Sequence, residues 1–513
     1  MQVKLIAICL VAMLLCTTAG CLWLHPTRFT LVSNTVTDSK GFPVLALAFN
    51  LTDDATVTLS NPLGQPCYTK EFFQGNSSVI VLLGDFHKSP DAGTYTLTAK
   101  DAGKNTVYTR TFQWSAPSLS LLSCSQKWFR HSNETVLSLA VSVQNTGQLP
   151  FYPSQVRILY NATVASGQVI PCVVLPGTTS EVSAQVVMPS DLTLKRMTVQ
   201  LLDTSGAVAG SMSQNISSDV CPSLQFSWYY QGHQQLTLPN ASALYLYDRS
   251  LPREATEDYA VYVFNSLDDA FFTYVLHRIL ALCAAGDPIV RLNFIAGFVQ
   301  ALVYRPDSAT NASFEYPRYP IETLNEQGGD CEDKAILCAE LLYLAGYNVS
   351  LLRLPDHMAV GVHLQHLEGY TPFKDGYYFL ESTAEYSPVG QIPSEYQGNV
   401  NYTIYPISPR PLILHEWLNA TRYTTSRDDY VQLDILVKNL GSAHAPVEVQ
   451  AFFQASSIRY GTQYEVLPSL DAGGEAEVTL SVNVPKGVAT VLMTQVLVNG
   501  TVQQEKESAT MFQ

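Results

Sequence analysis

"GGDCEDKAIL", residues 328–337, decides how the middle of this 513-residue chain is read. Two glycines precede a single cysteine, Cys331, set among Asp330, Glu332 and Asp333, and an apolar run follows. Gly328 and Gly329 permit a sharp entry into a helix. Asp330 is a good N-cap, and Asp333 stands three residues on, where the acid of a capping box belongs. The pattern predicts a helix through "KAILCAELLYLA" that stops at Gly346, a fitting residue just past a helix end. Cys331 then holds the first helical position, where the partial positive charge of the helix end lowers a thiol's pKa. The three acids act the other way, so a nearby imidazolium would be needed to favour a thiolate.

Four roles compete for Cys331: nucleophile, disulfide partner, metal ligand and core thiol. A bridge to Cys338 fails, because seven helical residues separate the Cα atoms by about 10 Å against a limit of ~7 Å. A bridge to Cys283 or a cysteine further upstream stays open. No C-x2-C or H-x3-H accompanies Cys331, and His357, His363 and Glu368 are spaced for neither zinc nor calcium. The core-thiol role suits Cys338, inside the apolar helix. A nucleophile needs a base and a group that orients the base. His357 opens the strand-like run "HMAVGVHL" after a Pro-Asp turn, and Glu381 closes "YYFLEST".

Taken together, "GGDCEDKAILCAELLYLAGY", "DHMAVGV" and "YYFLEST", with "EYPRYPIETL" upstream, resemble the transglutaminase-like superfamily, in particular its cysteine-proteinase branch in bacteria and archaea. The resemblance covers roughly residues 225–407 and implies a papain-like α+β core. Carried over residue by residue, it makes Cys331 the nucleophile, His357 the general base and Glu381 the orienting acid; many members have Asp-Pro where this chain has Glu381-Ser382. It implies acyl transfer on a peptide or protein substrate, hydrolysis in preference to transamidation, and no cofactor. Other residues weigh less. Asp356 is an alternative local orienter of His357 but suits a turn better, His363 suits a partly exposed strand position, and Gln327 is an alternative oxyanion donor but suits a loop surface better; the backbone N–H of Cys331 is the natural oxyanion donor. Tyr316, Arg318 and Tyr319 either line a substrate cleft or pack the segment before the helix.

Upstream, apolar residues at helical spacing run from Leu267 to Leu282 and from Ile289 to Leu302, with Gly286-Asp287-Pro288 as a stop and restart. Outside this region the chain changes style. Residues 26–115, 116–220 and 409–513 alternate apolar and polar over short runs punctuated by Gly, Asn, Asp and Pro, which argues immunoglobulin-like all-β sandwiches on both sides of the core. The second and last segments share a phrase, "LAVSVQNTG" (139–147) and "LDILVKNLG" (433–441), a strand ending in Asn-x-Gly. They resemble the cell-adhesion-related sandwich modules of exported microbial proteins. Cys124 and Cys172 of the second segment are the candidate disulfide, the alternative being two separately buried thiols.

The address follows from the start of the chain. Lys4, the apolar run Leu5–Leu15 and "TTAGC" read as an export signal over residues 1–21, and Cys21 sits where lipoproteins carry their lipid. The competing expectation is a retained anchor helix of residues 5–24. Either places the rest on the outer face of a membrane. Eleven Asn-x-Ser/Thr sequons, from Asn50 to Asn499, agree with an exported glycoprotein. An excess of 44 acidic over 29 basic residues argues against nucleic acid as a partner. The sandwiches point to a cell-surface polymer or protein partner, and a non-catalytic adhesion or scaffold protein is the rival to the enzyme.

Overall fold

The computed structural model describes residues 29–512 apart from 132–133, 161–162, 190–194, 255, 266, 285, 311–314, 399 and 425–428. The export signal and Cys21 lie outside the described residues. Contacts divide the chain into two compact units. One holds the described residues up to Thr35, Leu45–Val81 and Gly93–Gln113; the other holds Val36–Val44, Leu82–Ala92 and Trp114 onward.

The strand-like segments form three sandwiches of one topology. Each has seven described strands, with the first, second and fifth in one sheet and the fourth, third, sixth and seventh, in that order, in the other. Period-2 patterning explains why: in Ala55–Ser60 every second side chain is buried, and Val57 and Leu59 are fully enclosed. In the second sandwich, Glu134–Asn145 and Thr179–Pro189 pair antiparallel and send Leu137, Leu139, Val141, Val182 and Val186 into one core with Val156, Ile158 and Val199 of the facing sheet. The last sandwich repeats the plan with Val431, Leu433 and Ile435 against Val447, Val449 and Val496.

The shared Asn-x-Gly phrase has a tertiary purpose. Asn145, fully buried, donates to the carbonyls of Leu149 (2.8 Å) and Val174 (3.0 Å) and accepts from the N–H groups of Gly147 (2.9 Å) and Ser118 (3.2 Å). Asn439 does the same with Ala443 (2.9 Å), Leu470 (3.0 Å), Gly441 (3.1 Å) and Leu412 (3.2 Å). Each amide has its two donors and two acceptor sites filled, so it clamps a corner where backbone would otherwise lack partners. The glycine two residues on is required by space: a Cβ on Gly147 or Gly441 would stand 2.3 or 2.1 Å from a backbone oxygen.

Between the second and last sandwiches the period changes. Helices α1 (Ser242–Ser250), α2 (Asp269–Leu280), α3 (Pro288–Gln300), α4 (Pro320–Glu326) and α5 (Cys331–Leu344) precede strands β1 (Val349–Leu354), β2 (His357–His363), β3 (Tyr377–Leu380) and β4 (Thr403–Ile407). The strands form an antiparallel sheet in the order β3-β2-β1-β4. Asp287 caps α3 through Ile289 and Val290 N–H, with Pro288 in the first turn, as the sequence predicts. α5 packs on the sheet and against α2, α3 and α4, so every residue from Glu332 to Leu342 is buried. A helix enclosed on all sides has no polar face to show, which is why its acids and lysine need internal partners.

The cysteines differ from one expectation: Cys124 and Cys172 are both free. Both thiols are partly buried against the core of the second sandwich, and the Cys124 Sγ donates to the Ser125 carbonyl at 3.6 Å. Cys283 and Cys331 are likewise free. Each of the eight described sequon asparagines keeps some exposure. Among the described residues no helix is long and apolar enough to cross a membrane.

Candidate active site

The entry to α5 sets the site. Gly328-Gly329 runs parallel to Val303-Tyr304, and a Cβ on Gly328 would stand 2.4 Å from the Val303 carbonyl, while one on Gly329 would meet Asp333 at 2.5 Å. The glycines are therefore needed for close approach rather than for an unusual φ. Asp330 is the N-cap, and its N–H donates to the Asp333 carboxylate at 3.2 Å. Cys331 follows as the first helical residue, where its N–H has no intrahelical acceptor.

His357 stands at the start of β2, after a turn in which Asp356 adopts φ 56°. Glu381 comes directly after β3. Antiparallel pairing of β2 with β3 brings the two together: His357 Nε2 is 2.9 Å from Glu381 Oε2. The other oxygen of Glu381 accepts from Thr383 N (2.8 Å) and Thr383 Oγ1 (2.6 Å). Burial alone would raise this carboxyl; the His357 hydrogen bond and charge and the two Thr383 bonds outweigh it and hold the pKa down at about 2. The Tyr396 ring lies parallel to the imidazole, 5.3 Å between centroids.

Cys331 and His357 line one cleft of about 710 Å³, with Glu332, Asp356, Arg353, Tyr402 and the Tyr259–Glu315 pair on its walls. The Cys331 Sγ donates to Glu332 Oε2 at 3.1 Å and has no hydrogen bond to His357. Burial, and then the charge and hydrogen bond of Glu332, push the thiol well above its ordinary pKa, against a smaller opposite pull from the Met358 backbone N–H. In this conformation the group is a thiol. The opposition between helix dipole and acids, open in the sequence, resolves in favour of burial and the acids. The imidazole meets Glu381 through Nε2, so Nδ1 is the ring nitrogen that Glu381 does not engage.

Beneath the cysteine lies a buried ion network. Arg318, 2 % exposed, bonds Asp307 (2.9 Å), Glu326 (3.2 Å) and Asp333, and its N–H donates to Asp333 Oδ1 at 2.7 Å. Tyr316 bonds Glu322 at 3.0 Å, and Tyr319 packs on Tyr262. These three residues pack the helix start and do not line the cleft. Gln327, in a left-handed conformation, ends α4 away from it, and His363 stands at the far end of β2 against Tyr377.

Two contributors, Tyr396 and Lys334, carried no sequence signal, and a third, Glu332, was legible only as one acid of three. Glu332 faces the thiol, Tyr396 covers the imidazole, and Lys334 braces the acid. The Lys334 amine, buried and pushed down to about 8 by desolvation, donates to the carbonyls of Gln300 (3.0 Å) and Leu302 (2.9 Å) at the end of α3. Gln300 in turn donates to the Glu381 carbonyl at 2.8 Å. Spacing along the chain could not have linked residues 300, 334 and 381.

No family model and no curated protein matches this chain. Among solved structures, red sea bream transglutaminase aligns at 10 % identity over 71 % of this chain and 79 % of its own, with a TM-score of 0.18. A β-glucuronidase from glycoside hydrolase family 2 aligns at 9 % identity over 92 % of this chain and 75 % of its own, TM-score 0.18. The exo-chitosanase CsxA of Amycolatopsis orientalis aligns at 9 % over 91 % and 76 %, TM-score 0.16. At these TM-scores the likenesses carry no argument about chemistry, and function is argued from the site.

Proposed function

We infer that this chain is an exported, membrane-anchored thiol enzyme whose papain-like middle region carries out acyl transfer. The supporting observation is convergence: Cys331 at a helix start and His357 at a strand start line one cleft, and the imidazole lies 2.9 Å from the carboxylate of Glu381, which follows a strand end. His357 takes the thiol proton through Nδ1, and Glu381 fixes the ring and stabilises the imidazolium. Cys331 Sγ attacks the carbonyl carbon of a peptide or amide. The Cys331 N–H steadies the oxyanion, His357 returns the proton to the leaving amine, and water then cleaves the thioester. Glu257, Glu315, Glu332 and Asp356 outnumber Arg353 on the cleft walls, so a cationic segment of substrate suits it.

The test is Cys331→Ala in the full chain, assayed on a panel of peptides and amides rich in Lys and Arg. The variant is expected to fold as wild type and to lose hydrolysis completely; full activity in the purified variant would end the proposal. A second reading, a papain-like binding module in an adhesion protein, draws on the Glu332 hydrogen bond that holds Cys331 as a thiol. Labelling with iodoacetamide separates them: rapid, histidine-dependent alkylation of Cys331 belongs to the enzyme, and inertness to the binding module.

A further inference from the structure

We propose that Asp268, Asp269 and Glu340 form a binding site for a hard divalent cation, calcium by preference, which ties the start of α2 to the C-terminal half of α5. One oxygen of each residue lies within 4.8 Å of the others. Asp268 is fully buried and Glu340 is 1 % exposed, and all four of their carboxylate oxygens lack a hydrogen-bond partner. Asp268 is the N-cap of α2, yet its side chain makes no capping bond; it is spent on the cluster instead. Asp248 of α1, fully buried, adds charge close by, with one oxygen bonded to Asn265 Nδ2 (3.0 Å) and the other unpartnered. No Lys, Arg or His forms an ion pair with the three residues among the described ones.

The same helix supplies an internal control. Asp307, Asp330 and Asp333 form an equally tight trio, but Arg318 stands among them and bonds two of the three. The Asp268 trio is the same arrangement without its cation. Leaving several carboxylates buried and unpaired is strongly unfavourable, so the site calls either for protons or for an ion. Carboxylate-only donors select hard cations over zinc or copper. Calcium accepts six to eight oxygens in flexible geometry, and the exposed Asp269 leaves a side open for entry and for water ligands.

The experiment uses the full chain, freed of metal with a chelator and then given calcium chloride alone. Millimolar calcium is expected to raise the unfolding temperature by at least about 4 °C, with one ion bound per chain by elemental analysis. Glu340→Gln should abolish the shift, and Asp269→Asn, at the exposed ligand and so safe for folding, should weaken calcium binding at least tenfold. Unchanged melting with calcium or chelator and no bound ion would overturn the proposal, leaving a proton-sharing acid cluster. A calcium response retained at full affinity in both variants would overturn it too, by placing the ion elsewhere.

Discussion

The two ends of α5 gather matching sets of acids and treat them differently. At the N-terminal end Arg318 sits among Asp307, Asp333 and Glu326, so the charges are balanced within the chain, and burial is tolerated. Seven residues after Asp333, Glu340 meets Asp268 and Asp269 with no such partner. A carboxylate cluster is thus neither a site nor a support by virtue of its composition. What decides is whether a cation comes with it. The balanced end carries Cys331, whereas Asp268, Asp269 and Glu340 are not among the residues that line its cleft.

The largest effect should come from breaking the balanced end. Arg318→Met leaves Asp307 and Asp333 buried and uncompensated, which is expected to cost about 3–5 kcal/mol, read from urea unfolding. Under chelator, Glu340→Gln at the other end should change stability by less than about 1 kcal/mol, because the oxygen it removes has no protein partner. Equal costs at the two ends would erase the contrast.

A smaller effect belongs to the orienting acid over the balanced end. Glu381→Gln is expected to lower kcat by about 10–10³ with little change in KM, since the amide can bond the ring but cannot stabilise the imidazolium. A rate within twofold of wild type would make Glu381 a strand end and turn Asp356 into the next choice. The same swap sharpens the acid response. A folded pKa of about 2, below the ordinary carboxyl value of 4.5, gives stability that is present above pH 4.5 and lost as pH falls toward 2. Wild type should lose that increment across the window, and Glu381→Gln should have no such increment to lose.

The smallest effect is expected at the cysteine itself. Glu332→Gln removes the charge that, after burial, raises the thiol's pKa most, so iodoacetamide labelling of Cys331 should accelerate about tenfold near neutral pH. A slower rate would mean that Glu332 acts as the thiol's base.

Much of this was legible beforehand where the controlling interactions are local. The Asp330–Asp333 cap, the stop at Gly346, the restart at Asp287-Pro288 and the strands flanking Pro355-Asp356 lie within a few residues of their causes. The repeated Asn-x-Gly phrase could be read as a turn; that Asn145 and Asn439 are buried clamps could not, because Val174 and Leu470 lie 29 and 31 residues away. The Cys124–Cys172 pairing failed for the same reason: an address and a loop length say nothing of which way two thiols face.

By itself the sequence determined the order of elements and the alternation that makes sandwiches. These depend on periodicity, capping and steric limits, which act over one to four residues. Only the tertiary structure decided which charges would be compensated. Arg318 was read as either cleft lining or packing, and it is a counter-ion; Lys334 had no reading of its own, and it donates to the Gln300 carbonyl, while the Gln300 side chain bonds the Glu381 carbonyl; Glu332 was one acid of three, and it accepts from the thiol. The field at a buried group is the sum over whatever the fold brings within a few ångströms, and in a helix enclosed on every side those neighbours come from everywhere else in the chain.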